Sequence, residues 1–151
     1  IMCSPGLREK SRYVEGTSGV PSIRGNFATL QQVIVNLVLN SIDALEQCPF
    51  DAARRIWIRM QLAPSGREIE LFLADNGVGI SSEHADRIFD YFFTTKPEGK
   101  GTGLGLAISA EIVQAHGGSL RLVELSEHHR AWSPPPVTMF RLSLPVLVSS
   151  R

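Results

Sequence analysis

The stretch from Phe27 to Gln47 contains neither glycine nor proline, and it constrains the fold of this chain more than any other segment. Asn26 stands just before it, a side chain suited to accept hydrogen bonds from the free N–H groups of a first helical turn, and Pro49 follows. A long helix is predicted here. At about 100° per residue, Gln32, Asn36, Asn40, Asp43 and Gln47 share one stripe within about 40° of its centre. Val33, Ile34, Val35, Leu37, Val38, Leu39, Ile42, Ala44 and Leu45 cover most of the remaining surface. A helix apolar over most of its girth belongs largely inside a core, so its polar stripe must find partners or face a cavity. An ordinary solvent face is the competing explanation, but such faces are usually built of Lys and Glu rather than neutral amides.

Alternation constrains the next segments. Ile56, Ile58, Met60 and Leu62 recur at every second position, Pro64-Ser65-Gly66 turns the chain, and Ile69, Leu71 and Leu73 alternate again, which predicts a β-hairpin. Residues 1–25, with Gly6, Gly16, Gly19 and Pro21, read as a leader holding one short strand around Tyr13 to Glu15. Ser81 to about Phe89 is expected to form a short helix, and the glycines and lysines between Thr94 and Gly105 suit a mobile loop. A second long helix is expected from about Gly103 to Ala115, closed by His116-Gly117-Gly118, with further strands at Ser119–Leu125 and Thr138–Leu144. Ser126 to Val137, including Pro134-Pro135-Pro136, forms a polar, then stiff connection. Together these elements predict one domain over 1–151 with its motif-bearing core at 26–145, an α/β two-layer sandwich with helices on one face of a mixed β-sheet.

Fifteen basic residues balance 15 acidic ones with no basic stripe, which argues against nucleic acid or an anionic membrane surface as a partner. Cys3 and Cys48 have no C-x-x-C spacing, which argues against a zinc site or a disulfide framework and fits a reducing, cytoplasmic setting. No apolar run reaches the roughly 18 residues of a membrane span, and the start lacks the order of a signal peptide. Any inner-membrane anchor is therefore expected outside this chain.

Three further motifs carry chemistry. Asp75-Asn76-Gly77-Val78-Gly79-Ile80 follows an apolar strand; its glycines allow close approach of the main chain to a flat ligand, and an ionised carboxylate accepts from an exocyclic amine such as that of adenine. The same residues also suit a plain strand-end turn. In Ile88-Phe89-Asp90-Tyr91-Phe92-Phe93-Thr94-Thr95-Lys96, the aromatic residues fit core packing, whereas Thr94, Thr95 and Lys96 offer hydroxyls and an ammonium to phosphate. Gly99-Lys100-Gly101-Thr102-Gly103-Leu104-Gly105-Leu106 runs into a helix start, whose N–H groups and dipole favour phosphate. Neither the Walker-type phosphate loop nor a strand followed by the Rossmann glycine pattern is present.

With its amide-striped helix, the chain from about Asn26 to Pro145 resembles the catalytic and ATP-binding domain of two-component sensor histidine kinases. That domain has the Bergerat ATP-binding fold, shared with gyrase, mismatch-repair ATPases and the large heat-shock chaperone. The stretch FFTTKPEGKGTGLGLAIS is the most specific and looks most like the nitrogen-regulator and dicarboxylate-sensor branch. The resemblance implies ATP and Mg²⁺ as cofactors, with Asn40 as the metal ligand and Asp75 reading adenine N6. It implies Gly77, Gly79 and Ile80 along the base with Thr138 nearby, and Gly101, Thr102, Gly103, Leu104, Gly105 and Leu106 beside the phosphates. Asn36 is similar to a residue that positions the reacting groups, and with Lys96 it is the expected catalytic pair. Thr94, Thr95, Lys96 and Lys100 are expected phosphate contacts from the loop, and Asp43 is an expected nucleotide-site residue on the helix.

The chain departs from the family pattern in three places. Tyr91 replaces a usual proline, Val137 a usual glycine, and Asp43 stands where some kinases direct a lysine at phosphate. His84, His116, His128 and His129 lack the context of a phosphoacceptor. The implied acceptor is therefore a histidine on a separate helical dimerisation domain of the same full-length homodimeric protein, with a response regulator downstream. The alternative is an ATP-driven conformational switch that hydrolyses ATP to water, against which Asn36 speaks, because those hydrolases resemble one another in an acidic residue at that position.

Overall fold

The computed structural model describes residues 12–16, 20–48, 53–97, 99, 101–125 and 135–147. In chain order its elements are β1 (Arg12–Gly16), α1 (Phe27–Glu46), β2 (Arg55–Leu62), β3 (Glu68–Asp75), α2 (Ser82–Ala85), α3 (Gly105–Ala115), β4 (Ser119–Leu122) and β5 (Thr138–Pro145). The strands form one sheet in the order β1-β2-β3-β5-β4. β1 runs parallel to β2 and every other neighbouring pair is antiparallel, so the sheet is mixed as expected.

Strand parity sets the two faces. Ile56, Leu73, Phe140, Leu142 and Leu144 point to the side where α1 contributes Val33, Leu37, Val38, Ile42 and Leu45 and α3 contributes Val113, and these side chains form the main core. Intervening positions point the other way, where Trp57, Ala74 and Met139 make a smaller cluster with Phe72, Val123 and Leu125. Leu73 faces the helices, so Asp75, two residues on, emerges on the same face beneath α1. Its strand partner is Thr138.

Asn26 caps α1 as its chemistry predicts, its Oδ1 accepting from the N–H groups of Ala28 at 2.9 Å and Thr29 at 3.3 Å. The Asn26 N–H itself donates to His116 Nε2 at 3.0 Å, while His116 Nδ1 lies 2.7 Å from the Ile112 carbonyl. A ring that accepts at one nitrogen and faces a carbonyl at the other must carry its proton on Nδ1. His116 is thus a neutral brace between the start of α1 and the end of α3. The glycines after it close α3 as expected: Gly117 takes φ +76° and the Gly118 N–H returns to the Val113 carbonyl at 3.0 Å.

Several expectations need correction. The short helix predicted over Ser81 to Phe89 ends at Ala85, because Arg87 and Asp90 bond three residues back rather than four and the chain tightens into successive turns. α3 starts at Gly105 rather than Gly103, whose φ of +65° is incompatible with a right-handed helix. The strand expected to reach Leu125 ends at Leu122. α1 is less enclosed than its composition suggests, since Val35 and Leu39 remain 39% and 52% exposed on a flank covered by neither the sheet nor α3. Most of the 126–137 connection lies outside the described residues.

Replacing Asn26 with alanine removes the acceptor for both capped N–H groups. The expected loss is about 1 kcal/mol of stability, or a melting temperature lower by about 2–4 °C for a domain of this size, read by thermal unfolding.

Candidate functional site

Three segments distant in sequence meet on the middle turns of α1. Asn36 donates through Nδ2 to Ser109 of α3 at 3.0 Å, and its Oδ1 lies so close to Gly105 that a Cβ there would sit 2.4 Å away. Asn40 and Asp43 meet Lys96 of the loop, and the Ser41 hydroxyl donates to Asp75 Oδ2 at 2.8 Å. The Ala44 carbonyl accepts from the Val78 N–H at 3.2 Å. The predicted helix, strand-end and loop motifs therefore converge along one side of one helix. Gln32 and Gln47, at the ends of the stripe, do not take part: both are exposed, and Gln47 bonds back to the Asp43 carbonyl at 3.1 Å.

Asp75 is 2% exposed. Its Oδ1 accepts from the Gly77 N–H at 2.9 Å, Ser41 holds Oδ2, and the Thr138 hydroxyl adds a third protein donor. Burial pushes its pKa above the ordinary carboxylate value, and the three donors pull it partly back. Sequence reasoning missed Ser41. Its signal was available, because a hydroxyl among the apolar residues of a buried helical face needs a partner.

The glycines of the strand-end motif serve different ends. Gly77 is required by approach to the helix rather than by a positive torsion, since a Cβ there would meet Ala44 Cβ at 2.6 Å. Gly79 does need a positive φ, +81°, and a Cβ on it would strike Val137 at 2.7 Å. Asn76 points elsewhere: its amide oxygen accepts from the Arg55 N–H and its Nδ2 donates to the Ala53 carbonyl, both at 2.6 Å, which fastens the start of β2. Ile80 and Leu106 pack partly buried against the core.

At the base of the loop, the Phe92 N–H donates to the Gly103 carbonyl at 2.9 Å, and a Cβ on Gly103 would lie 2.4 Å from the Phe92 carbonyl carbon. Phe92 itself adopts φ +64° and is 76% exposed, so it contributes little to the core. Tyr91, in the usual proline position, bonds to Glu111 of α3, which raises the pKa of its phenol. Thr94 and Thr102 close short turns in the loop, their hydroxyls accepting from the Lys96 N–H at 3.1 Å and the Leu104 N–H at 3.3 Å, and these two threonines are exposed, as is Thr95. Among the described residues no side chain caps α3, which leaves the first-turn N–H groups beyond Leu104 directed at the loop. Lys100 lies outside the described residues. A separate hollow of about 480 Å³ at the N-terminal end of α1, lined by Arg24, Asn26 and His116 among others, contains none of the predicted residues.

The sequence pattern of the histidine kinase-, DNA gyrase B- and HSP90-like ATPases matches residues 25–147. This chain belongs to that ATPase family. It is 42% identical over 124 residues to the two-component sensor PprA of Pseudomonas aeruginosa, a match covering 81% of this chain and 13% of that protein. It is 36% identical over 120 residues to the C4-dicarboxylate transport sensor protein DctB of the same organism, covering 76% and 19%. Among solved structures, the mycobacterial sensor histidine kinase MprB superposes with a TM-score of 0.69 at 28% identity, covering 92% of this chain and 85% of that one. The chain thus spans less than a fifth of each of these two curated relatives. Among the described residues, no helix is long and apolar enough to cross a membrane.

Two outcomes follow from this geometry. Below the ordinary carboxylate value Asp75 is protonated whether the chain is folded or not; between that value and its raised one, only the folded chain holds the proton. Stability should therefore decline as pH rises through that interval, and Asp75→Asn should flatten this part of a stability–pH curve; an unaltered curve would assign the decline to another group. At the loop base, Gly103→Ala forces alanine into a left-handed torsion at a cost of about 1–2 kcal/mol and drives it into the Phe92 backbone, so ATP titration should show affinity at least about tenfold weaker. Gly99 has φ +82° but nothing within 4 Å, so Gly99→Ala should lose less. Equal losses would contradict the close-approach argument.

Proposed function

We propose that this chain is the ATP-binding catalytic domain of a two-component sensor histidine kinase, transferring the γ-phosphate of ATP to a histidine on a separate helical dimerisation domain. The observation that carries the reading is the convergence of the amide helix, the Asp75 turn and the glycine loop on α1 between Asn36 and Ala44. The similarity to sensor proteins supports the kinase over an ATP-driven conformational switch.

The residues fit ATP and a hard divalent ion. Asp75 is a buried acceptor at the end of β3 that suits the adenine amine, with Thr138, Gly77, Gly79 and Ile80 framing it. Asn40 Oδ1 and Asp43 Oδ2 already face the Lys96 ammonium, so their oxygens suit a cation; Asn40 would hold Mg²⁺, which accepts few protein ligands and keeps to phosphate oxygens and water. Bound there, the ion would neutralise developing charge on the phosphates. The chain's own contribution is placement: the N–H groups at the start of α3, with Gly101, Thr102, Gly103, Leu104, Gly105 and Leu106, orient the triphosphate, and Thr94, Thr95, Lys96 and Lys100 supply the loop's polar contacts. Asn36 holds α3 at the correct distance through Ser109, with its Oδ1 beside Gly105, and Lys96 supplies a mobile positive charge. Phosphoryl transfer depends chiefly on such positioning and charge neutralisation.

The full-length protein, on this reading, is a cytoplasmic-facing homodimer whose phosphohistidine passes its phosphate to an aspartate of a response regulator. The test is to mix the chain with the histidine-bearing helical domain of its own polypeptide and radiolabelled ATP. Acid-labile phosphohistidine should form on that domain. Asp75→Asn should weaken ATP binding about tenfold to a hundredfold and reduce labelling with it. Release of phosphate to water without any labelled histidine would favour the conformational switch.

A further inference from the structure

Lys96 reaches from the loop to α1, where its ammonium pairs with Asp43 Oδ2 and lies 3.4 Å from Asn40 Oδ1. Asn40 and Asp43 are three residues apart and so neighbour each other on the helix surface, presenting an amide oxygen and a carboxylate oxygen to one cation. An ammonium has no lone pair, so it interacts with these oxygens only as a donor and a charge, and a hard divalent ion would seek the same atoms. Both side chains are partly exposed, at 32% for Lys96 and 43% for Asp43, so the pair is screened and exchangeable rather than a fixed structural bridge. Thr94 supports the arrangement by accepting from the Lys96 N–H, which fixes the backbone from which the side chain departs.

We propose that Lys96 is a tethered competitor of the metal: its ammonium takes the two α1 oxygens, on Asn40 and Asp43, that a divalent ion entering with ATP would use, so that metal binding releases the loop. The inference rests on the reading that Asn40 holds the metal, and it adds Asp43 as a second oxygen on the metal side. It also accounts for an acidic residue at a helix position where a lysine would otherwise point to phosphate. The positive charge is supplied by the loop instead, held in reserve by Asp43 and freed towards the phosphate oxygens when the ion arrives.

Lys96→Met, Asp43→Asn and the double variant test this in two ways. In hydrogen exchange without nucleotide or metal, amides between residues 94 and 105 should exchange faster in each single variant, to a similar extent, with no further gain in the double. In Mg²⁺ titrations of the binding of a fluorescent ATP analogue, Lys96→Met should lower the half-effective Mg²⁺ concentration by about twofold to fivefold, the range expected for a partly exposed pair. Asp43→Asn should raise that concentration, and removing Lys96 in the Asp43→Asn background should give little of the gain. Unchanged loop exchange in both single variants, or an unmoved Mg²⁺ midpoint in Lys96→Met, overturns the proposal. Nucleotide binding by the unaltered chain that ignores Mg²⁺ altogether would instead remove the metal from Asn40, and the proposal with it.

Discussion

A carboxylate buried under a helix is the constraint around which this domain is organised. Removing Asp75 from water costs several kcal/mol unless donors compensate, and its donors come from three places: the Ser41 hydroxyl on α1, the Gly77 N–H in the turn and the Thr138 hydroxyl at the start of β5. Each is also a tertiary link. Ser41 ties the helix layer to the sheet, Gly77 brings the turn against Ala44, and Thr138 sits opposite Asp75 in the β3–β5 ladder. The same three contacts that make the carboxylate tolerable fix its direction. A ligand donor meeting Asp75 therefore finds an acceptor already desolvated and oriented, which is where binding free energy is otherwise lost.

The elements governed by local chemistry were legible in the sequence. Asn26 caps α1, the period-two apolar pattern gives β2 and β3, and Gly117 closes α3, because each depends on residues within one or two turns of itself. The α/β sandwich with helices on one face of a mixed sheet followed from these, and the motifs pointed to the residues that meet on α1. What was not legible depended on partners distant in sequence. Ser41 is an unremarked serine until Asp75 is placed beneath it, and Gly77 looks like a torsional glycine until Ala44 is found against it. The same is true of Asn36, whose amide is used by Ser109, and of Asp43, whose partner lies in the loop. Asn76, which reads as part of the ligand motif, instead secures the first residues of β2.

The loop between β3 and α3 shows how rigidity and mobility are divided. Its base is over-determined: Phe92 is held at φ +64° by a hydrogen bond to Gly103, Gly103 has no room for a side chain, and Tyr91 reaches Glu111 on α3. A non-glycine residue persists in that torsion only when its surroundings impose it, so the strain at Phe92 marks the point from which the loop is aimed. Towards the tip the interactions change character. The polar contacts there are short-range turns at Thr94 and Thr102 and the ion pair of Lys96, all at partly or fully exposed positions.

That gradient has a functional consequence. A loop fixed at both ends and held, among the described residues, by the screened ion pair of Lys96 opens at small cost without losing its register on α3 or β3, because local opening draws on the weakest contacts first. Were the pair at Lys96 buried, releasing it would leave an uncompensated charge and the loop would stay shut. Were it absent, the loop would have to be ordered afresh at each binding event, at a conformational-entropy cost drawn from nucleotide affinity. The partial exposure of Lys96 and Asp43 lies between these limits, which suits the loop to the role proposed for it, admitting a triphosphate and then enclosing it.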